Sequence, residues 1–212
     1  MKLKTLSIAM MALAATGVAS ADEILQMQQN ENNWVSAAGN YNNQRYSKLA
    51  QINKDNVKDL KMAWTFSTGV LRGHEGNSLV IDGTMYIHTA FPNIVFALDL
   101  NNDGAIKWKY EPKQNYDEVV PVMCCDTVNR GLAYGDGKIF LNQADTTLVA
   151  LDMNSGEVIW SHKRGDSKTG ATSTAAAHVF KDKVLVGISG GEFGVRGYIK
   201  AYDLNGAEKW QM

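Results

Sequence analysis

Tryptophan recurs in this chain at a spacing that few folds can accommodate. Trp108, Trp160 and Trp210 follow one another at intervals of 52 and 50 residues, and each stands four residues after a glycine, Gly104, Gly156 or Gly206. Upstream of each lies an Ala-x-Asp triplet, Ala97-Leu98-Asp99, Ala150-Leu151-Asp152 and Ala201-Tyr202-Asp203, and Met62-Ala63-Trp64 is a partial copy 44 residues before Trp108. Self-similarity at this period marks a propeller, a solenoid or another stacked array.

Each repeat also carries a hairpin signal before its Ala-x-Asp segment. Asp82-Gly83 precedes Met85-Tyr86-Ile87, Asp136-Gly137 precedes Ile139-Phe140-Leu141, and Lys181-Asp182-Lys183 precedes Val184-Leu185-Val186. Asp-Gly between apolar runs favours a two-residue turn between antiparallel strands. With the Ala-x-Asp strand and the tryptophan strand, each unit has the four short strands of one propeller blade. The expected fold is therefore all-β, with 19 glycines against three prolines supplying the tight turns. About three and a half such blades fit between Trp64 and Met212, fewer than the roughly four to eight that close a ring, so a partial propeller with open sheet edges is expected.

Charge narrows the partners. Lys plus Arg number 21 against 22 Asp plus Glu, with no block of one sign, which argues against nucleic acid or an anionic membrane as the partner. Residues 1–21 read as an export leader: Lys2 and Lys4 precede the apolar run Leu6 to Ala15, and Ala19-Ser20-Ala21 suits a signal peptidase. The run is shorter than the roughly 20 apolar residues of a membrane span. Export to a bacterial periplasm follows, with an N-terminal arm over 22–61 and the propeller over 62–212.

Three groups of residues stand out as candidates for chemistry. Glu75, Arg130 and Thr174 occupy equivalent places nine or ten residues before a hairpin strand. There, at the start of the innermost strand, they either converge on the central channel or are ordinary solvated loop residues. Cys124-Cys125, the chain's two cysteines, form either a vicinal disulfide, a ring strained because adjacent Cα atoms sit about 3.8 Å apart, or a pair of buried thiols. Ser189-Gly190-Gly191-Glu192 opens a glycine-rich loop past an inner strand. It lacks the G-x-G-x-x-G spacing of a dinucleotide loop and runs on into the strand-like Tyr198 to Tyr202. What it offers is bare backbone and one carboxylate, Glu192, of the kind a hard cation accepts. His74, His88, His162 and His178 have no metal-ligand spacing and are assigned structural or surface roles.

These residues carry a family resemblance. Trp34, Asn42-Asn43-Gln44-Arg45-Tyr46-Ser47, Gln51-Ile52-Asn53, Ala63-Trp64, Gly73-His74-Glu75-Gly76, Cys124-Cys125-Asp126 with Asn129-Arg130-Gly131, and Ser189-Gly190-Gly191-Glu192 together resemble the pyrroloquinoline-quinone-dependent methanol and alcohol dehydrogenases. The resemblance implies the N-terminal part of an eight-bladed propeller with tryptophan docking motifs. It implies that Cys124-Cys125 form a disulfide ring covering one face of the quinone, that Arg130 donates to the quinone oxygens, and that Glu75, Thr174, Ser189, Gly190 and Gly191 hold the cofactor's carboxylates and edge. Glu192 would ligate the metal. Gly191 favours the lanthanide-type enzymes over the calcium-type.

The same resemblance implies a primary alcohol as substrate, methanol foremost, a periplasmic cytochrome c as electron acceptor, and a homodimer of the full-length enzyme. The catalytic base and further metal ligands would lie beyond Met212. Glu75 beside a carboxylated cofactor is unfavourable unless a proton or a bridging donor intervenes. The alternatives are a quinone-dependent ethanol or sugar dehydrogenase and a non-enzymatic exported scaffold of the kind used in outer-membrane assembly, which would need neither Cys-Cys nor Glu192.

Overall fold

The computed structural model describes residues 21–212, so all of the leader expected at 1–21 except its final residue lies outside the described residues. Three four-stranded antiparallel sheets follow one another along the chain. The first comprises β1 (Leu79–Ile81), β2 (Thr84–His88), β3 (Val95–Asp99) and β4 (Ala105–Tyr110). The second comprises β5 (Leu132–Gly135), β6 (Lys138–Asn142), β7 (Thr147–Asp152) and β8 (Val158–Lys163). The third comprises β9 (His178–Phe180), β10 (Lys183–Gly187), β11 (Ile199–Asp203) and β12 (Glu208–Gln211). Each sheet is a meander in which every strand pairs with the next, so the expected four-strand unit is observed three times.

The turns form as their residues dictate. Asp82 and Gly83 have φ of 47° and 75°, and Asp136 and Gly137 have 52° and 67°, the double positive φ that a type I′ turn requires. The third hairpin makes its turn with Lys181 at φ 55° and no glycine. First strands lie toward the axis: β1 contacts β5, and β5 contacts β9. Fourth strands lie outermost, with β12 exposed along its whole length and β4 and β8 largely so.

Tryptophan docking joins one sheet to the next. Trp108 pairs with Ala97 across β3 and β4, Trp160 with Ala150, and Trp210 with Ala201, and each pairing sits at a register shift in the same place. The opposite face of the ring meets the glycine turn of the following sheet. A Cβ on Gly156 would come within 2.6 Å of the Trp108 ring, and one on Gly206 within 2.9 Å of Trp160. The indole N–H groups donate across the same seam, from Trp108 to the Met153 carbonyl at 2.9 Å and from Trp160 to the Leu204 carbonyl at 3.1 Å. Glycine is needed at these turns for positive φ and because nothing larger fits under the indole. Between the sheets, Tyr86, Trp108, Phe140, Leu148, Val179 and Tyr202 belong to one continuous core.

Trp64 departs from the expected partial blade. Residues 61–68 have no assigned strand, yet Trp64 still lies on Gly104, whose Cβ would come within 2.7 Å of the ring. The docking contact is made without the sheet, because it needs only an indole and a glycine turn. Before it, α1 (Ala21–Met27) leads into an arm tied to β1 by a reciprocal bridge: Trp34 N–H donates to Val80 O at 2.7 Å and Val80 N–H to Trp34 O at 3.0 Å. Among the described residues no helix is long and apolar enough to cross a membrane.

Candidate functional site

Glu75, Arg130 and Thr174 come from three different sheets and meet. Arg130 Nη2 lies 3.3 Å from Glu75 Oε2, and its Nη1 donates to Thr174 Oγ1 at 2.9 Å. The backbone repeats the link, since Arg130 N–H donates to the Thr174 carbonyl at 3.0 Å. All three stand in the loops leading into β1, β5 and β9, two to four residues ahead of the strands rather than at their first positions as expected. Loop placement lets the side chains point along the rim instead of being committed to one face of a pleated strand. Arg130 and Glu75 are each about half exposed, so the pair serves geometry more than stability. Arg130 is thus a donor placed directly beside the Glu75 carboxylate.

Cys124 and Cys125 are joined by a disulfide, and both are exposed, which settles the two readings of the pair. Their loop is fastened to the one that carries Glu75: Asp126 Oδ2 accepts from Gly73 N–H at 3.3 Å, and Arg72 Nη1 lies 3.6 Å from Asp126 Oδ1. Hydrogen bonds from the Thr127 and Gly73 amides, with Arg72 nearby, hold the Asp126 carboxyl below its usual range.

The third group joins the same rim. Ser189 N–H donates to the Thr172 carbonyl at 2.9 Å, and Thr172 N–H returns a bond to Ser189 O at 3.2 Å, two residues from Thr174. Gly190 has φ 121°, and a Cβ there would run into the Gly170 carbonyl and Val195. Around Gly191 a Cβ would meet nothing, so its backbone faces open space. Gly191, Glu192 and Phe193 form a short 3₁₀ turn. This loop follows β10, the second strand of its sheet and an inner one as expected, with the short strand His178–Phe180 ahead of it.

Glu192 is exposed and forms no ion pair among the described residues. Among those residues no three His, Cys, Asp or Glu side chains converge as a metal cage. Of the histidines, His74 and His178 are exposed, and His162 stacks on Tyr202 with centroids 5.0 Å apart. His88 is buried at the site's floor. Its Nε2–H donates to the Asn129 carbonyl at 3.0 Å, and Gly76 lies so close to the ring that a side chain there would collide with it. Burial holds its imidazole below the ordinary histidine value, with Asn129 opposing and His74 adding to the shift. Spacing alone gives it a structural or surface role; its distinguishing mark is its place at the end of β2, directly after an apolar run.

The donor set suits a planar, multiply anionic ligand. A disulfide offers a stiff face, Arg130 a fork of donors, Thr174 a hydroxyl, and the Gly190-Gly191 segment open backbone.

The wider comparisons agree with this architecture. A family model for the β-propeller domain of glucose, ethanol and alcohol dehydrogenases, the PQQ family, matches residues 34–212. A lanthanide-dependent methanol dehydrogenase of Methylorubrum extorquens is 60% identical over 198 residues, covering 93% of this chain and 33% of that protein. A methanol dehydrogenase [cytochrome c] subunit 1 of Methylobacterium organophilum is 49% identical over 216 residues, covering 97% of this chain and 34% of that one. The structure of a europium-containing methanol dehydrogenase superposes with a TM-score of 0.86 at 54% identity, over 90% of this chain and 33% of that chain. The chain thus spans about a third of the length of the curated relatives it matches. With one family model running from Trp34 to Met212 and a solved relative that superposes over 90% of the chain, the chain belongs to the PQQ family of glucose, ethanol and alcohol dehydrogenase β-propellers.

Proposed function

We propose that this chain forms part of an exported, periplasmic quinoprotein that oxidises a primary alcohol, methanol foremost, to the aldehyde and passes electrons to a cytochrome c. The observation that carries this reading is the convergence of Glu75, Arg130 and Thr174 from three sheets beside the Cys124–Cys125 ring. Names of the relatives support the substrate class and the cytochrome: lanthanide-dependent methanol dehydrogenase, and methanol dehydrogenase [cytochrome c].

Pyrroloquinoline quinone, when bound, supplies the two-electron redox chemistry. The chain's own residues bind and orient it. Cys124–Cys125 offers the flat surface for one ring face. Arg130, already braced by Glu75 and Thr174, points its remaining N–H donors at the quinone oxygens. Glu75 is neutralised by that same guanidinium, which removes its repulsion toward the ligand's carboxylates. Thr174, Ser189, Gly190 and Gly191 line the ligand's edge with hydroxyl and backbone groups. Glu192 would give one hard oxygen to a metal ion, and other segments of the whole protein would have to supply the rest.

Gly191 in the Ser189-Gly190-Gly191-Glu192 loop supports a lanthanide in preference to Ca²⁺. A trivalent ion is the stronger Lewis acid and draws more electron density from a coordinated carbonyl. The test is dye-linked methanol oxidation by the whole protein, reconstituted with quinone and either La³⁺ or Ca²⁺. Strong activation by La³⁺, weak activation by Ca²⁺ and loss of metal-dependent turnover in Glu192→Ala are expected. Equal activation by both ions sinks the lanthanide assignment, and a fully active Glu192→Ala variant removes the ligand role.

A further inference from the structure

Beneath the rim lies a second polar layer, this one buried. Asn129, Asn142 and Ser173 are each at most 1% exposed. Asn142 stands at the centre: its carbonyl accepts from Asn129 Nδ2 at 2.9 Å, its Nδ2 donates to the Ala175 carbonyl at 3.0 Å, and its Oδ1 accepts from Arg164 Nη2. The same Nη2 donates to Ser173 Oγ at 2.9 Å, while Nη1 donates to the Gly187 carbonyl at 2.9 Å. Tyr198 closes the group, its hydroxyl donating to the Arg164 carbonyl at 3.0 Å.

The sequence positions of these partners give the layer its meaning. Asn129 precedes Arg130, Ser173 precedes Thr174, and Gly187 is two residues from Ser189. One guanidinium therefore fixes β6, the Thr174 loop and the exit of β10 in mutual register. Among the described residues no carboxylate forms an ion pair with Arg164, whose hydrogen-bond partners are all neutral oxygens; the Asp145 carboxylate, itself paired with Lys163, acts on it only beyond ion-pair distance. Arg164 is partly buried, and a cation withdrawn from water without an adjacent anion is less screened than one at the surface. Arginine keeps its charge there, because a guanidinium does not lose its proton in a protein at neutral pH.

We propose that Arg164 is a positioning residue of the candidate site, setting Thr174 and Ser189 relative to Arg130, and that its partly buried charge, with no carboxylate in ion-pair contact, makes the site prefer a multiply anionic planar ligand over a neutral one. The inference rests on the quinone-site reading above and adds to it the source of selectivity for the ligand's carboxylates.

The test uses two probes on the whole protein to which this chain belongs, followed by quenching of tryptophan fluorescence at fixed ionic strength. Pyrroloquinoline quinone is a tricarboxylate, and 1,10-phenanthroline-5,6-dione is a neutral planar ortho-quinone. Arg164→Gln is expected to weaken binding of the tricarboxylate about tenfold while changing the neutral probe less than about twofold, because only the anion feels the lost charge. Arg164→Lys, which keeps the charge and loses the fork, is expected to retain most of the preference for the tricarboxylate. Equal loss for both probes in Arg164→Gln, or no loss for either, overturns the proposal. Should Arg164→Gln fail to fold, Arg164→Lys decides, and disappearance of its anion preference overturns it. A wild-type protein that binds neither probe refutes the quinone site itself, whatever the arginine does.

Discussion

Arg130 is held from two sides, with Glu75 Oε2 3.3 Å from Nη2 and Thr174 Oγ1 2.9 Å from Nη1, so one planar guanidinium spans three sheets of the propeller. Its two partners lie 55 and 44 residues away in sequence. Because the pair with Glu75 is half exposed, solvent screens it, and the arrangement aims donors more than it stabilises the fold.

Replacing Arg130 with lysine tests that distinction. Arg130→Lys keeps the charge but cannot reach Glu75 and Thr174 at once while still donating outward. Global stability in urea is expected to change by less than about 1 kcal/mol, as for other exposed pairs. Affinity for pyrroloquinoline quinone is expected to fall about tenfold or more, because a point charge replaces a fork. A large loss of stability with unchanged binding would show the opposite role.

Docking of the tryptophans gives a second prediction. Gly156 and Gly137 have nearly the same positive φ, 74° and 67°, yet a Cβ on Gly156 would strike the Trp108 ring and one on Gly137 would meet nothing. Gly137→Ala is expected to cost about 1 kcal/mol, the penalty of the left-handed backbone alone. Gly156→Ala is expected to cost about 1–3 kcal/mol more, because the indole must move out of its seat. Equal costs in denaturant titrations would mean that the contact contributes nothing.

The disulfide offers a direct chemical check. Protein prepared from an oxidising compartment is expected to have an intact mass lower by two hydrogens than the reduced chain, with no alkylation by iodoacetamide until a reductant is added. Two thiols that alkylate without reduction would remove the flat surface from the proposed site. The chain has no third cysteine to take up an alternative pairing.

Much of this was legible in the sequence because it is periodic. Ala-x-Asp strands and Gly-to-Trp spacing recur in every sheet, and the Asp-Gly turn recurs in the first two, each a local rule that the folded chain obeys. Trp64 shows the limit: its motif identifies a docking contact, but a strand needs a neighbour to pair with, and spacing alone does not supply one. The equivalent positions of Glu75, Arg130 and Thr174 were visible for the same reason of period. The layer of Asn129, Asn142, Ser173 and Arg164 was not: Asn129 and Ser173 share a repeat position, but Asn142 and Arg164 come from other places, and polar residues in a window look alike whether buried or solvated. Cys124-Cys125 remained ambiguous because adjacency restricts the bond geometry without saying whether the bond forms.

His88 yields the last prediction, and it concerns pH. The imidazole is 7% exposed, donates from Nε2 to the Asn129 carbonyl, and leaves Nδ1 buried without a partner among the described residues. Burial disfavours its charged form, the Asn129 carbonyl partly offsets that, and His74 adds to the lowering. In the unfolded chain the same group takes up a proton near its ordinary value of about 6.5. Between that value and the lower folded one the unfolded chain binds more protons, so stability rises with pH across this window and is lost as pH falls below about 6.5. Asp126, Asp152, Asp182 and Asp203 are all held below 3.8, so their losses come at more acid pH. Urea midpoints are therefore expected to fall between pH 7 and pH 5, and His88→Gln, which keeps an N–H donor for Asn129 but does not titrate, is expected to flatten that fall. An unchanged slope in His88→Gln would assign the loss to another group. If the slope flattens, the floor beneath Gly76 and Asn129 loosens in acid, and quinone affinity should decline over the same pH range in the wild-type chain and less so in the variant.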